Sequence, residues 1–143
     1  MAKMTLIALI VIAALWYSIT RAPFFLPPTD AATPAPPEGP ARVFGFATLT
    51  NPVVRLIVLG RWVPASPAQL RGWRRGDGRN ITEGADMLLD GVVFTVTPDE
   101  MIRLDRYERT GRKYRRDLMV LEDGQSAWVY RLIGARGLAA VED

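Results

Sequence analysis

The chain has 143 residues, a net charge of +3 and an apolar fraction of 49%. It contains no Cys, which excludes disulfides and thiol chemistry, and no His, which removes the commonest general base and metal ligand. Catalysis near neutral pH therefore falls to a carboxylate, a Lys, a Tyr, a hydroxyl or the backbone. Asp86, Asp90 and Asp99 are too scattered to read as ligands, so neither a metal nor a cofactor is expected.

The N-terminal stretch MAKMTLIALIVIAALWYSITR has a positive start at the amine and Lys3, then no charge from Met4 to Ile19. As a helix that run rises about 24 Å, slightly less than a bilayer core of about 30 Å. Trp16 and Tyr17 stand where interfacial aromatics would, and Phe24, Phe25 and Leu26 extend the apolar contact. The expectation is a single-pass transmembrane anchor over residues 1–22, partnered with the membrane. The positive-inside rule then favours export of the remainder to the periplasm or exterior, although Arg21 opposes the bias. A cleaved signal peptide is the rival reading, for which Ser18-Ile19-Thr20-Arg21 offers no small-residue cleavage site.

Residues 23–41 form a linker, with seven prolines between Pro23 and Pro40 that favour an extended, semi-rigid spacer. A single domain is expected over 42–143. It opens with RVFGFATL, which reads as a strand. Asn51-Pro52 pairs an N-cap residue with Pro at the first helical position, and Gly60 supplies the stop. The helix between, PVVRLIVL, is nearly all apolar and is expected to be buried. A strand around Gln69–Arg74 and a polar loop follow, then MLLDGVVFTV, a strand expected to bulge at Asp90-Gly91. Thr97-Pro98-Asp99-Glu100 is a capping box that starts a helix running to about Arg109 and ending at Gly111. YRRDLMVL and QSAWVYRL form a hairpin through Glu122-Asp123-Gly124. This order is α+β, and a curved, barrel-like mixed sheet with short flanking helices accommodates it.

Within DEMIRLDRYE, taking about 100° per residue with Met101 at zero, Glu108 falls at about 340°, between Met101 and Leu104 at about 300°. A carboxylate on that apolar stripe loses hydration and becomes a stronger base. Alternatively, the helix frays before Glu108 and leaves it in solvent, or paired with Lys113, Arg115 or Arg116. Asp105 also turns toward the sheet. The six Arg and one Lys of Arg103–Arg116 read as a solvated face, and nucleic acid is not expected as a partner. Trp62, Trp73 and Trp128 read as core or pocket wall.

Four segments in order, VFGFATLTNPVVRLIVLG, DGVVFTVTPDEMIRLDRYE, YRRDLMVL and AWVYRL, together resemble the γ-glutamylcyclotransferase-like superfamily. The likeness is to its γ-glutamylamine cyclotransferase or avirulence-induced-gene-like branch and spans Val43 to Leu132. The resemblance implies the γ-glutamylcyclotransferase-like fold and a cofactor-free cyclisation of a small γ-glutamyl substrate to 5-oxoproline. It implies Glu108 as the catalytic acid/base, the loop Phe46, Ala47, Thr48 and Leu49 as the substrate-binding turn, and Tyr114 as a pocket residue. This chain departs from the family's Tyr-Gly in that turn, with Phe46 lacking a hydroxyl and Ala47 adding a Cβ. A non-catalytic module that retains the fold is the alternative from another class.

Overall fold

The computed structural model describes residues 2–21, 34–78 and 80–133, with side chains in the first segment described from 4 to 18. Helix α1 spans Ala2–Arg21. Strand β1 is Ala41–Gly45, followed by a 3-10 turn at Thr48–Thr50 and helix α2 at Pro52–Leu59. Strands β2, Ser66–Arg75, and β3, Ile81–Val96, lead to helix α3 at Pro98–Tyr107. Strands β4, Tyr114–Val120, and β5, Ser126–Leu132, complete the fold.

The five strands make one sheet in the order β2-β3-β1-β5-β4. Only the central β1–β5 pair is parallel, with Val43 opposite Trp128 and Phe44 opposite Val129, so the sheet is mixed. Its two edges curl toward each other without forming a ladder. The Glu122 N–H after β4 donates to the Gln69 carbonyl of β2 at 2.9 Å, and Arg71 pairs with the Glu122 carboxylate. The result is a curled half-barrel in an α+β domain.

Strand alternation splits the core by face. Val43, Phe94, Val96 and Tyr130 pack with Leu59, Met101 and Leu104 from α2 and α3. Phe44, Leu70, Ile81, Leu89 and Val129 fill the inside of the curl with Phe46 and Leu121.

The local signals explain the helix boundaries. Asn51 Oδ1 accepts from Val53 N at 2.8 Å, and Gly60 closes α2 with φ +78°. Thr97 and Glu100 make both bonds of the capping box, at 2.9 and 3.3 Å. At the β4–β5 turn, Gly124 takes φ +77°, a region closed to most side chains.

Four expectations are corrected. Among the described residues no helix is long and apolar enough to cross a membrane. Lys3 and Arg21 bracket an uncharged run whose rise of about 24 Å stops short of a hydrocarbon core of about 30 Å. The transmembrane anchor, the membrane as partner, and the single-pass, exported localisation built on it are withdrawn; Phe24, Phe25 and Leu26 lie outside the described residues. The apolar helix α2 is not buried all round, since Val53, Leu56 and Ile57 are exposed while Arg55 is buried. Arg55 turns inward because its guanidinium caps the carbonyls of Leu49 at 2.8 Å and Thr50 at 3.0 Å and lies over the Phe94 ring. Asp90-Gly91 stays in register opposite Ala68 and Gln69, and the β2–β3 register shifts instead between Arg71 and Trp73. Gly91 is small because a Cβ there would come within 2.5 Å of the Gly45 carbonyl oxygen. Finally, Trp62 is exposed, whereas Trp73 and Trp128 are half-buried under Arg131 and Arg116.

Candidate active site

Helix α3 packs on the sheet face that carries Val43, Phe94, Val96 and Tyr130, and its last residue reaches the turn that leaves β1. Its C-cap is Glu108, with φ −80° and ψ −5°, whose N–H still donates to Leu104 O at 2.8 Å. The helix therefore holds Glu108 and does not fray before it. The residue is half-buried and borders a cavity of about 300 Å³. That volume sits at the small end of ligand pockets, near the size of a metabolite.

The opposite wall is the β1 turn. Phe46, Ala47, Thr48 and Leu49 all border the same cavity as Glu108, and so does Tyr114 from the start of β4. Every site residue expected from the sequence thus lines one hollow. The turn is pinned from several directions. Thr50 N–H and Oγ1 both donate to the Ala47 carbonyl, at 3.1 and 2.6 Å, and Arg75 donates to the Phe46 carbonyl. Gly45 lets this turn fold back, since a Cβ there would lie 2.8 Å from the Leu49 Cβ. Ala47 adopts φ −123° and ψ −119°, so its φ lies outside the left-handed region that favours Gly. Among the described residues, the Ala47 and Thr48 amides donate to no backbone carbonyl.

Tyr107 ties the two walls together, its hydroxyl donating to Thr48 Oγ1 at 3.0 Å. Beneath the cavity lies a buried polar network. Asp105, which the helical periodicity turned toward the sheet, accepts from the Tyr130 hydroxyl at 2.7 Å and from Arg116 Nε at 3.0 Å. The Arg116 side chain is fully buried, stacks over Trp128, and donates to the Pro34 carbonyl at 2.7 Å. Tyr130 also borders the cavity. Burial, then the nearby Asp105 charge and the hydrogen bond to it, push the Tyr130 hydroxyl well above its ordinary 10.0; Arg116 offsets part of this and Glu108 adds to it. Tyr130 is therefore a protonated donor and not a base.

Sequence reasoning missed Tyr130, Tyr107, Arg109 and Lys113 as cavity residues. Strand alternation along AWVYRL placed Tyr130 on the helix-covered face, which was the available signal for it. Arg109 and Lys113 were hidden within the basic run. Much of that run is engaged inside the fold: Arg103 donates to the Leu59 carbonyl, Arg115 pairs with Asp117 at 3.0 Å, and Arg116 holds Asp105. Among the described residues no cluster of acidic side chains has the arrangement of a metal site.

The family model described as gamma-glutamyl cyclotransferase, AIG2-like, matches residues 43–142. Two solution structures from Arabidopsis thaliana are similar in fold. One has a TM-score of 0.59 and 21% identity, covering 74% of this chain and 69% of that one. The other has a TM-score of 0.58 and 26% identity, covering 73% and 76%. A structure of a gamma-glutamyl cyclotransferase is similar at a TM-score of 0.50 and 12% identity, covering 66% of this chain and 67% of that one. No curated protein sequence matches the chain.

Proposed function

The chain belongs to the γ-glutamyl cyclotransferase, AIG2-like family, and from that premise we propose that it cyclises a γ-glutamyl amine or peptide to 5-oxoproline, with Glu108 as general acid and base. The observation that supports this reading is that Glu108 and the Phe46–Leu49 turn line one cavity.

The chemistry asks little of the protein. A γ-glutamyl compound carries its own nucleophile, an α-amine that closes a five-membered ring on the γ-carbonyl. Glu108 takes a proton from the α-ammonium, and the freed amine attacks the carbonyl carbon. The amides of Ala47 and Thr48 serve the oxyanion that forms or hold the α-carboxylate. As the tetrahedral intermediate collapses, Glu108 returns its proton to the departing nitrogen and the ring nitrogen gives up its second proton to solvent, so that 5-oxoproline and the free amine leave. Intramolecular attack supplies the proximity advantage once the pocket holds the substrate folded. Leu49, Tyr114 and the Phe46 ring shape that pocket, and Tyr130, its hydroxyl proton given to Asp105, borders it. No step needs a thiol or an imidazole, and the chain has neither.

Assay of 5-oxoproline release from a small panel of γ-glutamyl amines and γ-glutamyl dipeptides tests the proposal. Turnover of at least one class supports it. Failure across the panel, by a protein that is folded, favours a module that kept the fold without the activity.

A further inference from the structure

The end of α3 that carries Glu108 is closed by a Schellman motif. Glu108 is the C-cap and Arg109 follows with φ +52°. The Thr110 N–H reaches back to the Asp105 carbonyl at 2.9 Å, and the Arg109 N–H donates to the Arg106 carbonyl at 3.1 Å. In this motif the left-handed position usually holds Gly, and an apolar contact usually joins the residues at its two ends. Here Arg109 takes the left-handed position. The end residues are Asp105 and Thr110, both buried, with Thr110 Oγ1 3.5 Å from Asp105 Oδ1.

Neither choice favours stability. A left-handed residue other than Gly stores strain, and a buried ion pair is often no more stable than apolar side chains of similar volume. Both departures flank Glu108. The Asp105 carboxylate gathers donors from three parts of the fold: Tyr130 of β5 at 2.7 Å, Arg116 of β4 at 3.0 Å, and Thr110 of the turn between α3 and β4. Among these described residues, Glu108 and Tyr130 border the cavity, whereas Asp105, Thr110 and Arg116 do not. Asp105 thus reaches the site through its neighbours, by the helix cap to Glu108 and by the hydroxyl to Tyr130.

Resting on the cyclotransferase reading, we propose that Asp105 is a positioning residue. It fixes the Glu108 end of α3 against β4 and β5, so that the base keeps one place in the cavity.

The test measures kcat, KM and melting temperature of the full chain on the γ-glutamyl substrate that the wild type turns over best. Asp105→Asn keeps the shape and removes the charge; a misplaced base predicts kcat lower by roughly tenfold or more, with KM within about threefold of wild type. Tyr130→Phe keeps the ion pair and removes one donor, and its kcat is expected to fall severalfold. The double variant Asp105→Leu/Arg116→Met is compared with Arg116→Met. It regains melting temperature, but Tyr130 and Thr110 lack their acceptor, so kcat stays low. A kcat that rises with the melting temperature makes Asp105 merely structural and overturns the proposal. A wild-type kcat in folded Asp105→Asn or, where that variant does not fold, in Tyr130→Phe, overturns it too, and the cyclotransferase reading stands. Release of no 5-oxoproline by the wild type from any γ-glutamyl compound defeats the parent reading and this one with it.

Discussion

The Tyr107 hydroxyl donates to Thr48 Oγ1 at 3.0 Å, joining the last turn of α3 to the turn after β1. Both residues line the cavity that Glu108 borders, so the bond ties the end of α3 to that turn. Tyr107→Phe removes it at an exposed site, where the net cost to stability is about 1 kcal/mol or less. The expected outcome is a melting temperature within a few degrees of wild type and a KM for the γ-glutamyl substrate raised severalfold. An unchanged KM shows that the loop holds its place without this tie.

Gly45 tests the same wall from below. Gly45→Ala puts a Cβ 2.8 Å from the Leu49 Cβ, so the turn has to shift. Overpacking of this kind costs about 1–3 kcal/mol. Activity is expected to fall by more than the stability loss alone explains, measured as kcat/KM on a fully folded sample well below the melting temperature. Full activity at normal stability shows that the turn adapts freely.

The pair Asp105–Arg116 carries the heaviest stability prediction. Among the described residues, Arg116→Met leaves a buried carboxylate whose remaining side-chain donors are Tyr130 and Thr110. Breaking a buried pair from one side costs about 3–5 kcal/mol. Urea denaturation is expected to show that loss, and the double variant Asp105→Leu/Arg116→Met is expected to recover part of it. A cost under about 1 kcal/mol for the single variant contradicts the network's role.

Legibility from sequence divides along physical lines. Signals complete within four or five residues were readable: the Asn51 cap, the Thr97–Glu100 box and the Asp123-Gly124 turn. Helical periodicity put Glu108 on the inner stripe and also turned Asp105 inward. Features set by distant partners were not readable. Arg55 is buried because carbonyls of Leu49 and Thr50 await it, which no periodicity within α2 reveals. Gly91 answers a close approach by Gly45 on the neighbouring strand, and so passed for a bulge. The apolar N-terminal run has the composition of a span, but between Lys3 and Arg21 it lacks the length of one. Arg109 and Lys113 join the cavity through the backbone reversal after α3, which a reading of charge runs does not see.

Glu100 supplies the pH prediction. Burial raises its carboxyl, but the Arg61 hydrogen bond at 2.5 Å, the Thr97 amide and the charges of Arg61 and Arg103 outweigh that and hold it below its ordinary 4.5. A depressed folded-state pKa means stability that is present above the unfolded value and is lost as pH falls through the folded one. Glu100→Gln is expected to cost about 1 kcal/mol near pH 7 through the cap and the half-exposed pair. The difference from wild type should shrink below about pH 4. Urea melts at pH 7 and pH 3 check this, and a gap that widens in acid contradicts the assignment.

The central claim is that one carboxylate, on the last turn of α3, moves the proton that closes the ring. Glu108→Gln keeps the shape of that side chain and removes its basicity, so the most direct measurement is 5-oxoproline release by this variant beside wild type. The account predicts a loss of roughly a hundredfold or more in kcat with a melting temperature within a few degrees of wild type. A folded Glu108→Gln variant that retains wild-type turnover contradicts it.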